Sequence, residues 1–226
     1  MMRNIRDLAD ACLYRLDRSI AALSGSRARL RKYYFIAQPV STKRWLPPQR
    51  GANVEIRRFT ASDPVIKEIP RPDWAIPYRF QQGAICLAAL KERKCIGCLW
   101  LTLGPYQEDE VRCRYVPLPE GKASWDFDVY VDPEHRSSIV FLKLWDEANS
   151  LLAERGMRWS LSRISAFNNA SMAAHARMGA KRIATAVFLS MGRLQICAAT
   201  TPPYFDISRQ HDAFPTFALN PEVQKS

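Results

Sequence analysis

The order in which apolar periodicity changes along this chain constrains its fold more than any other feature. Up to residue 23 apolar side chains recur every three or four positions, whereas from residue 54 they alternate or form short runs. Residues 54–59, 83–90 and 95–103 read as strands, and the charged segment 91–94 makes a hairpin of the last two. A strand over 124–131 stops at Asp132-Pro133, and residues 137–155 then place Val140, Leu144, Ala148 and Leu151 on one helix face, with Gly156 as C-cap. A strand over 159–166, a helix over 168–178 ended by Gly179, and strands over 181–191 and 195–198 follow. Strands first, then strands and helices in alternation, predict a mixed α/β sheet with a parallel portion.

Charge is spread unevenly. The 226 residues carry 33 Lys and Arg against 22 Asp and Glu, a net of +11. That excess favours nucleic acid, an anionic membrane face, a phosphorylated cofactor or an acidic carrier protein as partner. Residues 1–50 hold 11 of the basic and 3 of the acidic side chains, so the remainder of the chain is close to balance. Within this segment Ile5, Leu8, Cys12, Leu16, Ile20 and Leu23 form the apolar stripe of an amphipathic helix that stops at Ser24-Gly25-Ser26. A basic stretch over 27–32 then leads through Tyr33-Tyr34-Phe35-Ile36 to a linker marked by Pro39, Pro47, Pro48 and Gly51. The expected division is a basic helical arm and linker over 1–50, a folded domain over 51–200, and a tail over 201–226 lying on the surface. The helix is expected to pack its apolar face on the domain, with a membrane surface or a carrier protein as other partners for residues 1–32. A homodimer is left open.

Several classes are excluded. The longest apolar runs, 84–90 and 186–189, fall far short of the roughly 18 residues that a spanning helix needs. The first residues carry mixed charge rather than a signal-peptide core, so a cytoplasmic location is expected, and six scattered cysteines fit reduced thiols there. Cys95-Ile96-Gly97-Cys98 is a lone pair in a strand pattern, and His135, His175 and His211 lack ligand spacing, so no metal is expected. Hydrolase, nucleoside-triphosphate and dinucleotide motifs are missing, and the basic arm carries no nucleic-acid reading motif.

The chemistry concentrates where Val129-Tyr130-Val131-Asp132-Pro133-Glu134-His135-Arg136 leads into the helix from Ser137. A strand that turns directly into a helix offers the helix's first backbone N–H groups to an anion. Downstream, Asn168-Asn169-Ala170-Ser171 opens a second helix that carries His175 and ends at Gly179. In this order and spacing the two segments resemble the GNAT superfamily of N-acyltransferases, through Val131, Pro133 and Arg136 in the first and Asn168, Ser171, His175 and Gly179 in the second. The resemblance covers about residues 54–198.

The resemblance implies a mostly antiparallel mixed sheet with a central parallel splayed pair, flanked by helices, to which the N-terminal helical arm is added. It implies transfer of an acyl group from acyl-CoA or acetyl-CoA to a small-molecule or peptide amine. Val129, Tyr130 and Val131 would meet the pantetheine, and a backbone N–H there would polarise the thioester carbonyl. Arg136, Ser137, Ser138, Ile139, Val140 and Phe141 would form the phosphate loop, with Asn168 and Ser171 holding the pantetheine. His175 stands where the family has a tyrosine that protonates the leaving thiolate. Asp126 and Asp128, on one strand face by alternation, are the candidate bases, and Trp74 and Tyr78 the candidate acceptor contacts. Ile139 and Phe141 occupy positions that are glycine in the family, where backbone must come close to a diphosphate. This departure leaves three outcomes: an altered CoA pose, an acyl carrier protein as donor, or a binding module without catalysis.

Overall fold

The computed structural model describes residues 2–136, 138–209 and 214–223, and in it the chain forms two compact units. In chain order the first elements are α1 (Met2–Leu23), β1 (Ala28–Pro39), β2 (Glu55–Phe59), α2 (Ala75–Gln81), β3 (Ile85–Lys91) and β4 (Lys94–Thr102). Next come β5 (Tyr106–Gln107), β6 (Arg114–Pro117), β7 (Ala123–Val131), α3 (Ser138–Glu154), β8 (Trp159–Ser165) and α4 (Asn169–Arg177). The last are β9 (Lys181–Met191), β10 (Leu194–Ala199), β11 (Phe205–Ser208) and β12 (Thr216–Leu219). The fold is mixed α/β, its strands mostly antiparallel with parallel pairs among them. Among the described residues no helix is long and apolar enough to cross a membrane.

One unit comprises residues 39–106 and 117–160. Its strands run in the order β7-β4-β3-β2, each pair antiparallel. Helix α3 buries Val140, Leu144, Ala148 and Leu152, the four-residue spacing that keeps side chains on one face, whereas Leu151 is only half-buried. Gly97 fixes how closely that helix approaches: a Cβ there would lie 2.8 Å from the Tyr130 carbonyl oxygen and 3.2 Å from Val140 Cγ1. The bare glycine lets α3 sit directly over β4 beside the end of β7. Trp100, Trp125 and Trp145 fill the interior.

The other unit comprises residues up to 38, 107–116 and from 161 onward. Its strands run β11-β10-β9-β1-β8, so the strand that comes first in sequence lies inside the sheet. Strand β1 pairs antiparallel with β9 from Ala28 opposite Met191 to Ala37 opposite Lys181. A smaller sheet has the order β12-β6-β5, and Phe35 packs against Tyr115 and Phe217 at ring separations of 5.5 and 5.2 Å.

Three sequence expectations are corrected here. Residues 28–39 are not part of an appended arm; Ala28-Arg29-Leu30-Arg31 alternates with the period of a strand, and its apolar members are buried in the sheet. The tail is not confined to the surface, since β11 pairs with β10 and Phe217 and Leu219 of β12 are fully buried. Helix α1 exists as expected, but its inward face differs. Asp10 and Asp17 turn toward β1, while Cys12, Leu16 and Leu23 of the apolar stripe are exposed. The reason is specific pairing: Asp10 binds the Lys32 ammonium at 2.6 Å and accepts from the Tyr34 hydroxyl. Asp17 accepts from the Leu30 backbone N–H at 2.8 Å and from Arg29 at 3.2 Å. The side chains of Ile5 and Leu8 lie outside the described residues.

A buried charge cluster also orders this unit. Arg163 on β8 binds Glu108 through two bonds of 2.7 and 2.9 Å, reaches Glu110 at 2.8 Å, and stacks over the Tyr33 ring at 4.5 Å. The Glu108 side chain is wholly excluded from solvent. Removing one member of a buried pair strands the other charge. Arg163→Ala is therefore expected to cost about 3–5 kcal/mol of stability, read as a lowered midpoint in urea unfolding.

Candidate active site

Strand β7 changes character along its length. Residues 123–127 are buried and 128–131 are half-exposed, although their β4 partners 97–100 are buried. At the change a β-bulge interrupts the pairing: Trp100 opposes Asp128 and Leu101 opposes Asp126, which leaves Phe127 as the extra residue. Simple alternation therefore fails here, and the two aspartates that it placed together have separate environments. Asp126 is buried and accepts a hydrogen bond of 2.9 Å from the Ser160 hydroxyl. Asp128 is clamped by two guanidiniums, Arg71 at 2.5 and 2.6 Å and Arg79 at 2.6 Å.

Arg79 is itself buried, with its guanidinium 5.3 Å from the Trp100 ring centre and 5.2 Å from that of Phe127. Burial alone would raise the Asp128 carboxyl, but hydrogen bonds and charge from Arg71 and Arg79 outweigh it and hold the group below the usual carboxylate range. A carboxylate so held is a weak proton acceptor. Arg79 belongs to α2, the element that also presents the candidate acceptor contacts. Trp74 stands at its N-terminus, 57% exposed, and meets Tyr78 edge-on at 6.1 Å.

Beyond β7 the chain makes a single turn before α3. The Asp132 carboxylate accepts from the Glu134 backbone N–H at 2.9 Å, and Pro133 starts the turn. Arg136 is exposed and directed back toward the Val131 carbonyl. Helix α3 then begins at Ser138, whose side chain, like the whole of Ser137, lies outside the described residues. The two bulky residues at the family's glycine positions are packed. Ile139 Cγ2 lies only 2.7 Å from where a Gly51 Cβ would sit, and Phe141 lies 6.4 Å from the Trp145 ring. Lys143, one turn on, donates to the Gly51 and Val54 carbonyls at 2.6 Å and so ties residues 51–54 to the start of the helix.

In the other unit, Asn168 caps α4: its carboxamide oxygen accepts from the Ser171 backbone N–H at 3.0 Å. His175 is 3% exposed, and its Nδ1 lies 2.9 Å from the Gln38 carboxamide oxygen at the end of β1. Nδ1 therefore carries the proton in this arrangement. Burial pushes the imidazole down to about 4, so it is neutral at physiological pH.

No protein-family model and no curated protein matches this sequence. Solved structures do. A tandem GNAT protein from the clavulanic acid biosynthesis pathway, solved without AcCoA, matches at TM-score 0.50 and 15% identity over 82% of this chain and 58% of that one. A Drosophila protein matches at TM-score 0.51 and 16% identity over 77% of this chain and 56% of that one. The fold is that of the GNAT superfamily. The chain spans under two thirds of either match's length.

Within this GNAT fold, Val129, Tyr130, Val131 and Arg136 lead to the start of α3, where Ile139, Val140 and Phe141 form its first turn. Asp126 and Asp128 are divided between different partners. Three residues escaped the sequence reading: Arg71 and Arg79 around Asp128 and, in the other unit, Gln38 beside His175. Arg79 immediately follows Tyr78, yet its role depends on a carboxylate 49 positions away, and no local pattern signals it. Among the described residues no group of His, Cys, Asp or Glu is arranged to hold a metal.

The buried imidazole makes stability depend on pH. Above pH 6.5 His175 is neutral folded and unfolded. As pH falls from 6.5 toward 4 the unfolded chain takes up a proton that the folded one refuses, so stability falls by about 3 kcal/mol in that window. In urea unfolding across the window, His175→Gln is expected to lose that part of the slope.

Proposed function

We propose that the protein is an N-acyltransferase that moves an acyl group, acetyl or longer, from the thioester of an acyl-CoA to a primary amine on a small molecule or peptide. The observation that carries this reading is the course of β7 in a GNAT fold. The strand is fully buried to Phe127 and only partly buried from Asp128 through Val131, and after a single turn it leads to the N-terminus of a 17-residue helix beside Arg136. The N-terminal N–H groups and dipole of that helix suit a phosphate, and the exposed Arg136 adds a cation. The register with β4, in which the Asp132 N–H bonds the Ile96 carbonyl, directs the Val129 and Val131 amides away from that strand, and these are suited to pantetheine.

In the reaction the amine nitrogen bonds to the thioester carbon, the carbon–sulfur bond breaks, and sulfur leaves as thiolate. The Val129 backbone N–H, which points away from β4, would stabilise the oxyanion. The amine's surplus proton needs a base; Asp128 is neutralised by two arginines, and Asp126, which accepts from the Ser160 hydroxyl, is the other candidate for that role. A thiol with an ordinary pKa of about 8.5 leaves without a strong acid. His175, neutral and bound to Gln38, then positions α4 and donates no proton. Trp74 and Tyr78, presented on the helix that carries Arg79, would receive the acceptor.

Ile139 and Phe141 favour a second reading. Backbone approach to a diphosphate is hindered by side chains at both positions, whereas the phosphopantetheine of an acyl carrier protein brings only one phosphate. A module that binds without catalysis is the third.

Thiol release from acetyl-CoA, long-chain acyl-CoA and acyl carrier protein, each with a panel of amines, separates these readings. Turnover with a CoA donor is expected, turnover only with the carrier protein selects the second reading, and none with any donor selects the third. With the active donor, Asp126→Asn is expected to lower kcat by about 100-fold or more. Arg136→Ala should raise the donor KM about tenfold with little change in kcat, and His175→Gln should leave kcat within about threefold of the parent.

A further inference from the structure

We propose that the outward face of α1 docks on an anionic lipid surface. This inference rests on how the helix is attached and is independent of the acyl-transfer reading. Both described acidic residues of α1 face the sheet and are spent there, Asp10 on Lys32 and Tyr34, Asp17 on Arg29 and the Leu30 N–H. What the described part of the helix shows to solvent is therefore of one sign. Arg15 and Arg18 are exposed, Arg27 follows just beyond the helix, and no described acid on α1 faces outward with them. Asp17 is held ionised by Arg29 and the Leu30 N–H against its burial, which keeps that inward pairing intact at neutral pH.

The same surface carries apolar side chains with nothing over them. Leu16 is 48% and Leu23 91% exposed, and with the exposed Cys12 they fall on one helix shoulder at spacings of four and seven. A helix that turns Asp10 and Asp17 inward and exposes leucines reverses the arrangement expected of a surface helix on a globular domain. Leucines standing out of a surface lined with guanidiniums match a lipid headgroup layer: the alkyl tips enter the acyl boundary while the arginines meet phosphates. An acidic protein partner would supply the charge but would need a groove shaped for two projecting leucines, whereas a lipid interface accepts them without one.

The test is co-sedimentation of the full chain with vesicles of phosphatidylcholine alone and of phosphatidylcholine with roughly one third phosphatidylglycerol. At least tenfold more protein is expected on the anionic vesicles, with release when salt is raised to about 0.5 M. Leu16→Asp with Leu23→Asp, and separately Arg15→Glu with Arg18→Glu, should each abolish binding while the unfolding midpoint stays at the parent value, because all four side chains are exposed. Failure of the parent to sediment with anionic vesicles, or equal binding to neutral ones, overturns the proposal. So does a concentration-dependent dimer abolished by the leucine pair, which would assign the face to a second copy. Binding of acyl carrier protein, without vesicle binding, that the arginine pair abolishes would equally overturn it.

Discussion

Much of one unit depends on the pairing of β1 with its sheet. This strand comes first in the chain after α1 and lies between β9 and β8, so it brings distant stretches of sequence together. Its buried residues Phe35 and Tyr33 meet Tyr115, Phe217 and Phe188. Its charged residues hold α1, and its last buried side chain, Gln38, holds His175. A strand with these attachments is the framework on which α1 and α4 are positioned. The long sequence separation between β1 and β9 also predicts slow folding for this unit, since loop closure must precede the contacts that stabilise it.

The second constraint is the desolvated charge around β7. A carboxylate beside two arginines, one of them lying against the Trp100 and Phe127 rings, is stable only if all three stay paired. The bulge at Phe127 allows this. It gives Asp128 a different set of partners from Asp126 on the same strand, so two chemically identical side chains two positions apart sit in different environments. The cluster also ties α2, with Trp74 and Tyr78, to the strand whose outer half is only partly buried.

The succession from β7 through α3, β8 and α4 to β9 was legible in the sequence because each element announces itself locally. Asp132-Pro133 stops a strand, Gly156 and Gly179 close helices, and Val140, Leu144 and Ala148 repeat at helical spacing. Strand β1 was not, because its arginines looked like a charge run when their alternation with Ala28 and Leu30 carried the structural signal. The inward face of α1 was misjudged for a related reason: two aspartates found specific partners on β1, and two named ion pairs outweighed a diffuse apolar stripe. Strands β11 and β12 are four residues each, too short for periodicity to declare them. The candidate site was legible where it is backbone, at the β7 turn and the start of α3. It was not where it depends on long-range ion pairs, as at Arg71 and Arg79.

The central claim is that an acyl-pantetheine thioester lies along the partly buried outer half of β7 with its phosphate at the N-terminus of α3. Hydrogen–deuterium exchange of the full chain with and without acetyl-CoA reads this directly. Slowed exchange concentrated over residues 129–141 is expected, with the interior of β3 and β4 unchanged. Exchange over 129–141 that is identical with and without a saturating concentration of the thioester would contradict it.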